Sequence, residues 1–264
     1  MKTPVLLGAL WGDICGAPYE FSPERNAARI NLAHPARAFT DDSVLTLAVA
    51  KAILEHRPYG ETICELAHAY PRLGWGSTFR RVWLEENRAE PYGSFGNGAA
   101  MRVAPVGWAF NTVEDVLREA AASAACSHDH PLGILSAQAA ALAVFLARKG
   151  QDKEAIRAAV ETHTGWALTN SLKAVRAEAV VQGFDETWRA VPLALSAFLA
   201  TASFEDCLRQ TIALGGDADT QACIACAVAE AYYGVDEELA AQVLGFLDAR
   251  LRNILLAFGA KFGR

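Results

Sequence analysis

The stretch Pro131-Leu-Gly-Ile-Leu-Ser-Ala-Gln-Ala-Ala-Ala-Leu-Ala-Val-Phe-Leu-Ala-Arg148 decides the fold. From Pro131 to Ala147 it holds the longest uncharged run in the chain. It falls short of the ~20 apolar residues a membrane span requires, alanine is its commonest residue, and it carries Ser136 and Gln138. It therefore reads as a buried helix. From Leu135 to Arg148 apolar residues face nearly every direction, which puts that helix at the centre of a bundle.

Outward from this segment the same signal repeats. Val44, Leu47, Ala48 and Leu54 stripe the segment Ser43–Glu55, and Val113, Val116, Leu117 and Ala120 stripe Thr112–Ala125. Further helices are predicted over Asp152–His163, Leu172–Val181, Val191–Leu199, Phe204–Leu214, Thr220–Tyr233 and Glu237–Phe258, with Gly150, Gly183 and Gly234 placed as C-terminal caps. Alanine supplies 52 of the 264 residues, and it is the best helix former and a poor strand former. No alternating run makes a strand, no linker divides the chain, and no solenoid repeat is present. The expectation is one compact all-α domain over residues 1–264. Its long irregular stretches are Pro18–Phe39 and Arg88–Trp108, and loops of that length are often functional.

Composition narrows the function. With 52% apolar and 20% charged residues the chain is not a disordered one. Its 24 basic and 30 acidic residues leave a net charge of −6, so bulk nucleic-acid binding by phosphate neutralisation is excluded as a class. The six cysteines, Cys15, Cys64, Cys126, Cys207, Cys223 and Cys226, are too thinly spread for a disulfide scaffold. Together with an N-terminus that lacks a signal-peptide pattern, they make the cytoplasm the expected compartment.

Two helix starts stand out. Phe39-Thr40-Asp41-Asp42-Ser43 and Gly215-Gly216-Asp217-Ala218-Asp219-Thr220 each place two carboxylates and a threonine immediately before or within a first helical turn. Capping alone accounts for one such residue per start, but not for four aspartates. Their oxygens are hard ligands suited to one or two Mg²⁺-type ions, and Mn²⁺ fits the same donors. Two ions about 3.5–4 Å apart can activate a water near neutral pH.

Other segments carry weaker signals. Gly93-Ser94-Phe95-Gly96-Asn97-Gly98-Ala99-Ala100-Met101-Arg102 reads either as a structural turn or as a backbone cradle for phosphate; it matches neither a Walker loop nor a dinucleotide fingerprint. Cys126-Ser127-His128-Asp129-His130-Pro131 offers substrate contacts or metal ligands. Its His-Asp pair also suggests a metal-dependent phosphohydrolase, although His34, His56, His68 and His163 supply no matching ligand pattern. Gly12-Asp13 followed by Pro18-Tyr19-Glu20-Phe21 sets a glutamate among aromatics, where it is either a general acid/base or a surface group. Cys223-x-x-Cys226 has no second pair to close a zinc site and reads as packing.

In this order the segments GALWGDICGAPYEF, TDDS, GNGAAMRVAPVG, SHDHP and GGDADT resemble the ADP-ribosylglycohydrolase family over almost the whole chain. The resemblance implies an all-α orthogonal helical bundle with a dinuclear Mg²⁺ site. The ligands it implies are Thr40, Asp41, Asp42, Asp217, Asp219 and Thr220, with Ser43 standing where many members have threonine. It implies Glu20 as the acid/base on a segment that approaches the metals, with Asp41 or Asp42 as helpers. Ser94, Phe95, Gly96, Asn97, Gly98 and Met101 then cradle the diphosphate and distal ribose, and His128 meets the substrate. The implied reaction is hydrolysis of the glycosidic bond between ADP-ribose and a modified side chain or small acceptor, through an oxocarbenium-like state. In arginine-directed members an acidic residue is expected near the segment here written Leu73-Gly74-Trp75-Gly76-Ser77-Thr78. Its absence tilts the reading toward an O-linked, serine-type substrate, with an arginine-linked substrate or a non-catalytic ADP-ribose-binding module as the alternatives. Trp75 is left between stacking on the adenine and the core. A monomer acting on an ADP-ribosylated protein or small conjugate, with no membrane partner, completes the expectation.

Overall fold

Short polar residues start five of the helices, all but the last at a start the sequence reading expects. Thr112, Asp152, Ser203, Asp236 and Asp248 each sit in extended conformation and accept a hydrogen bond from the N–H three residues on, at 2.8–3.1 Å. The computed structural model describes residues 4–181 and 189–263. In chain order its helices are α1 (Leu7–Gly16), α2 (Asp41–Glu55), α3 (Tyr59–Ala69), α4 (Ser77–Phe79, running into a π-helical turn at Arg80–Glu85), α5 (Gly98–Met101), α6 (Ala104–Ala109), α7 (Val113–Ala125), α8 (Pro131–Arg148), α9 (Lys153–Thr164), α10 (Leu172–Val181), α11 (Ala190–Ala200), α12 (Phe204–Ile212), α13 (Ala218–Tyr233), α14 (Glu237–Phe246) and α15 (Ala249–Phe262). Short 3₁₀ turns occupy Ala17–Tyr19 and Ala27–Arg29. No strand occurs among the described residues.

The all-α expectation holds, with three corrections. The predicted helix Glu237–Phe258 is two helices, because Leu247 is extended and Asp248 caps a new start at Ala249 by accepting the Leu251 N–H. The stretch Arg88–Trp108 is not wholly irregular: it contains α5 and α6. Helices α1, α3 and α4 were not anticipated. Gly150 and Gly234 adopt positive φ near the ends of α8 and α13 as expected of caps, whereas Gly183 lies outside the described residues.

Two contacts organise the bundle. Helix α8 packs against α5, α6, α7, α9, α11 and α13 and is central, as its composition requires. Contrary to the expectation that it is too short, it is long and apolar enough to cross a membrane by length and composition alone, yet most of it is buried by protein, as a core helix is. The other contact joins α1 to α13. Gly8, Gly12 and Gly16, one turn apart, line the face of α1 that meets α13. A Cβ on them would fall 2.2 Å from the Cys226 carbonyl oxygen, 2.2 Å from the Ala222 carbonyl oxygen and 2.5 Å from the Asp219 Cα. Only glycine permits this backbone-to-backbone approach. The buried Glu230 side chain of α13 accepts the Gly8 N–H at 2.8 Å and caps α1, whose own N-cap residue Leu6 supplies no side-chain bond. The helices run antiparallel, so the end of α1 and the Glu20 segment that follows it lie at the start of α13.

Candidate functional site

The starts of α2 and α13 meet in one cleft of about 800 Å³. At α2, capping is done by Thr40 and by a residue from another helix. The Thr40 hydroxyl accepts the Asp42 N–H at 3.2 Å and donates to Asp13 Oδ1 at 2.7 Å. Asp13, fully buried on α1, also accepts the Thr40 N–H at 3.0 Å, the Ser43 N–H at 3.1 Å and the Ser43 hydroxyl. These bonds leave the Asp41 and Asp42 carboxylates free of the capping task. At α13, Asp217 occupies the N-cap position but makes no side-chain cap; its Oδ2 accepts Asn97 Nδ2 at 2.7 Å. Asp219 Oδ1 accepts the Thr220 N–H at 3.0 Å, and the Thr220 hydroxyl donates to Asp42 Oδ1 at 3.3 Å, tying the two starts together. Capping therefore does not explain the four aspartates.

Glu20, Asp217 and Asp219 each turn a carboxylate oxygen to within 4.8 Å of the others. Asp42 Oδ2 is buried with no hydrogen-bond partner. Burial raises Asp13 to about 6, and burial first with neighbouring carboxylates second raises Glu20 and Asp41 to about 7. Burial, followed by the same neighbours, holds Asp42 and Asp219 well above the usual carboxylate range. A cluster of hard oxygen donors, one of them orphaned, fits a divalent cation of the Mg²⁺ or Mn²⁺ kind.

The glycine-rich segment forms the facing wall. Ser94, Phe95, Gly96, Asn97, Gly98 and Met101 all line the cleft, as do Glu20, Thr40, Asp41, Asp42, His128, Asp217, Asp219 and Thr220. The six implied metal ligands, Glu20 and the seven implied substrate contacts are thus brought to one place. The His-Asp-His segment divides its labour. Asp129 Oδ1 accepts the Gly93 N–H at 2.7 Å, His130 Nδ1 caps α8 by accepting the Leu132 N–H at 3.1 Å, and only His128 faces the cleft. Burial, then the Arg102 charge, pushes His128 down to about 3, so it is neutral.

Several lining residues were not anticipated. Phe39, Phe79 and Tyr92 add aromatic walls, and Arg102 lies beneath the loop. Asp13 was noted only beside Gly12; its capping of α2 depends on a contact 27 residues away. Trp75 belongs to the core: it is buried and stacks on Phe79, which stacks on Trp83, at 5.2 and 5.1 Å. Its neighbours Leu73, Gly74, Gly76, Ser77 and Thr78 do line the cleft. Cys223 and Cys226 are packing residues, with the Cys223 thiol donating to the Met101 carbonyl at 3.3 Å.

The family model described as ADP-ribosylglycohydrolase matches residues 3–257. The chain belongs to the ADP-ribosylglycohydrolase family. The mouse (Mus musculus) ADP-ribosylhydrolase ARH3 is 29% identical over 88% of this chain and 83% of its own. The Rhodospirillum rubrum ADP-ribosyl-dinitrogen reductase glycohydrolase is 28% identical over 88% of this chain and 85% of its own. Among solved structures, one titled "ADP-ribosylglycohydrolase-related protein complex" superposes with a TM-score of 0.70 at 25% identity, covering 97% of this chain and 95% of that one. As an ADP-ribosylglycohydrolase family member, the chain is a hydrolase of glycosidic bonds to ADP-ribose.

Proposed function

We propose that the chain is a divalent-cation-dependent ADP-ribosyl hydrolase acting on an O-linked, serine-type conjugate. The observation that carries the metal requirement is the acidic cluster with its orphaned Asp42 oxygen. Thr40, Asp41, Asp42, Asp217, Asp219 and Thr220 would hold two Mg²⁺ ions or their Mn²⁺ equivalents. Bound there, the ions supply Lewis-acid polarisation and a hold on ribose hydroxyls.

The remaining steps fall to the chain itself. Backbone amides and small residues from Ser94 to Gly98 take the diphosphate, which answers the substrate's charge without a basic surface. Phe95, 45% exposed at the rim, offers a stacking face. His128 donates a neutral hydrogen bond to the bound substrate. Glu20, on the segment after α1 and beside Asp217 and Asp219, moves the proton between water and the leaving group as positive charge develops on the anomeric carbon. Support for the O-linked reading comes from the mouth. Leu73, Gly74, Gly76, Ser77 and Thr78 present no carboxylate for a guanidinium, while small groups and hydroxyls suit a serine-type acceptor. We take the chain as a monomer, and six unbridged cysteines fit a reducing cytoplasm.

The test is release of ADP-ribose, measured by mass spectrometry, from one peptide modified on serine and one modified on arginine, each with Mg²⁺ and with chelator. Metal-dependent release from the serine peptide is the expected result. Release from the arginine peptide alone overturns the linkage, and full activity in chelator overturns the metal requirement.

A further inference from the structure

Arg102 is fully buried, and among the described residues its acceptors carry no charge: Nη2 donates to the Ser123 carbonyl at 2.7 Å and to Ser127 Oγ at 2.8 Å, with the Cys126 sulfur at 3.6 Å. Ser127, also fully buried, lies 2.8 Å from His128 Nδ1. These distances impose a direction on the chain of bonds. A guanidinium only donates, so Ser127 Oγ accepts from Arg102. The hydroxyl proton then has one partner within reach, His128 Nδ1, which must accept it as a bare nitrogen. The opposite arrangement, an Nδ1–H donating to Ser127, would leave a buried hydroxyl proton without an acceptor and is disfavoured on that ground. With Nδ1 accepting, the neutral ring carries its proton on Nε2. That edge of the ring lies on the cleft wall, where a Cβ added to Gly98 would fall 2.9 Å from Nε2. The ring also packs against Tyr92, at 5.8 Å between centroids.

We propose that Arg102 and Ser127 are positioning residues that fix His128 as the Nε2–H tautomer, making it a one-way donor to an oxygen of the substrate. The Arg102 charge adds a second restraint, since a protonated imidazole would stand beside a buried cation with no carboxylate between them. The activity arm of this inference rests on the hydrolase reading above; the tautomer does not.

The experiment is a long-range ¹H–¹⁵N correlation spectrum of ¹⁵N-histidine-labelled full-length protein, with His128 assigned by its loss in His128→Gln. The expected wild-type signal shows a protonated Nε2 and a bare Nδ1, unchanged across about pH 5–8, where an unperturbed histidine titrates. Ser127→Ala should give a tautomer mixture at His128 and lower kcat/KM about tenfold, the scale of one hydrogen bond. Ser127→Thr, which keeps the hydroxyl, should restore both. A wild-type ring protonated on Nδ1, or a Ser127→Ala protein whose tautomer is unchanged, overturns the proposal. If Ser127→Ala does not fold, the wild-type spectrum decides alone. An Nε2–H signal in a protein that releases no ADP-ribose would leave the relay standing and remove the hydrolase reading.

Discussion

Asp42 has one carboxylate oxygen held by Thr220 and one that meets no donor. Without a cation, its ionised form is unfavourable, so the neutral Asp42→Asn should be more stable than wild type in chelator at pH 8. A gain of about 1 kcal/mol corresponds to a Tm rise of about 2–4 °C for a chain near this size. The same variant should lose any Tm response to Mg²⁺. A lower Tm in chelator would show that the oxygen is already satisfied by the protein. The pH dependence follows with a definite sign. Asp13, at about 6, and Glu20 and Asp41, at about 7, hold protons in the folded state that the unfolded chain releases near pH 4. The folded state therefore binds more protons across roughly pH 4–7, and stability in chelator should fall as pH rises through that window. His128, pushed down to about 3, acts oppositely below about 6.5, but it is one group against several. Thermal unfolding in chelator at pH 5 and pH 8 checks the sign; a higher Tm at pH 8 would contradict it.

At the scale of elements, the glycine ridge of α1 is the feature most exposed to substitution. Gly12→Ala places a Cβ 2.2 Å from the Ala222 carbonyl, with backbone rather than a flexible side chain in the way. Overpacking of this kind costs about 1–3 kcal/mol or more. Gly74→Ala, with nothing within 4 Å, should stay within about 0.5 kcal/mol of wild type in urea unfolding. Equal losses in the two variants would remove the ridge as the reason for these glycines. The contrast also explains what could be read from the sequence. The acidic starts of α2 and α13 were legible because capping and metal chemistry are local: three or four adjacent residues declare them. Helix α1 was not, because Gly8, Gly12 and Gly16 acquire meaning only against a helix more than 200 residues away. Asp13 eluded assignment for the same reason. The break at Asp248 was legible in principle, as an acid three residues before Leu251, but the apolar stripe of Glu237–Phe258 ran across it. Helix α5, four residues long, is too short for periodicity to register.

The whole molecule carries a net charge of −6, and its cleft gathers Glu20, Asp41, Asp42, Asp217 and Asp219 above the buried Asp13. A ligand that binds only the folded state stabilises it by about 2.7 kcal/mol at a hundredfold excess over its Kd. Mg²⁺ should therefore raise Tm by several degrees, and by more at pH 8 than at pH 5, since ligation needs deprotonated carboxylates. Identical melting curves in Mg²⁺ and in chelator at both pH values would remove the cation from the account. The pairing of α1 with α13 also bears on how the protein is made. The first helix leaves the ribosome long before its partner exists. At about 5–20 residues per second the wait is about 10–40 seconds. Throughout that interval the glycine face of α1 is bare, its Gly8 N–H lacks Glu230, and Asp217 and Asp219 have yet to be synthesised. A chain stopped short of Asp217 thus carries only Glu20, Asp41 and Asp42 of those five carboxylates, so on the proposed reading competence to capture a cation arrives only with α13.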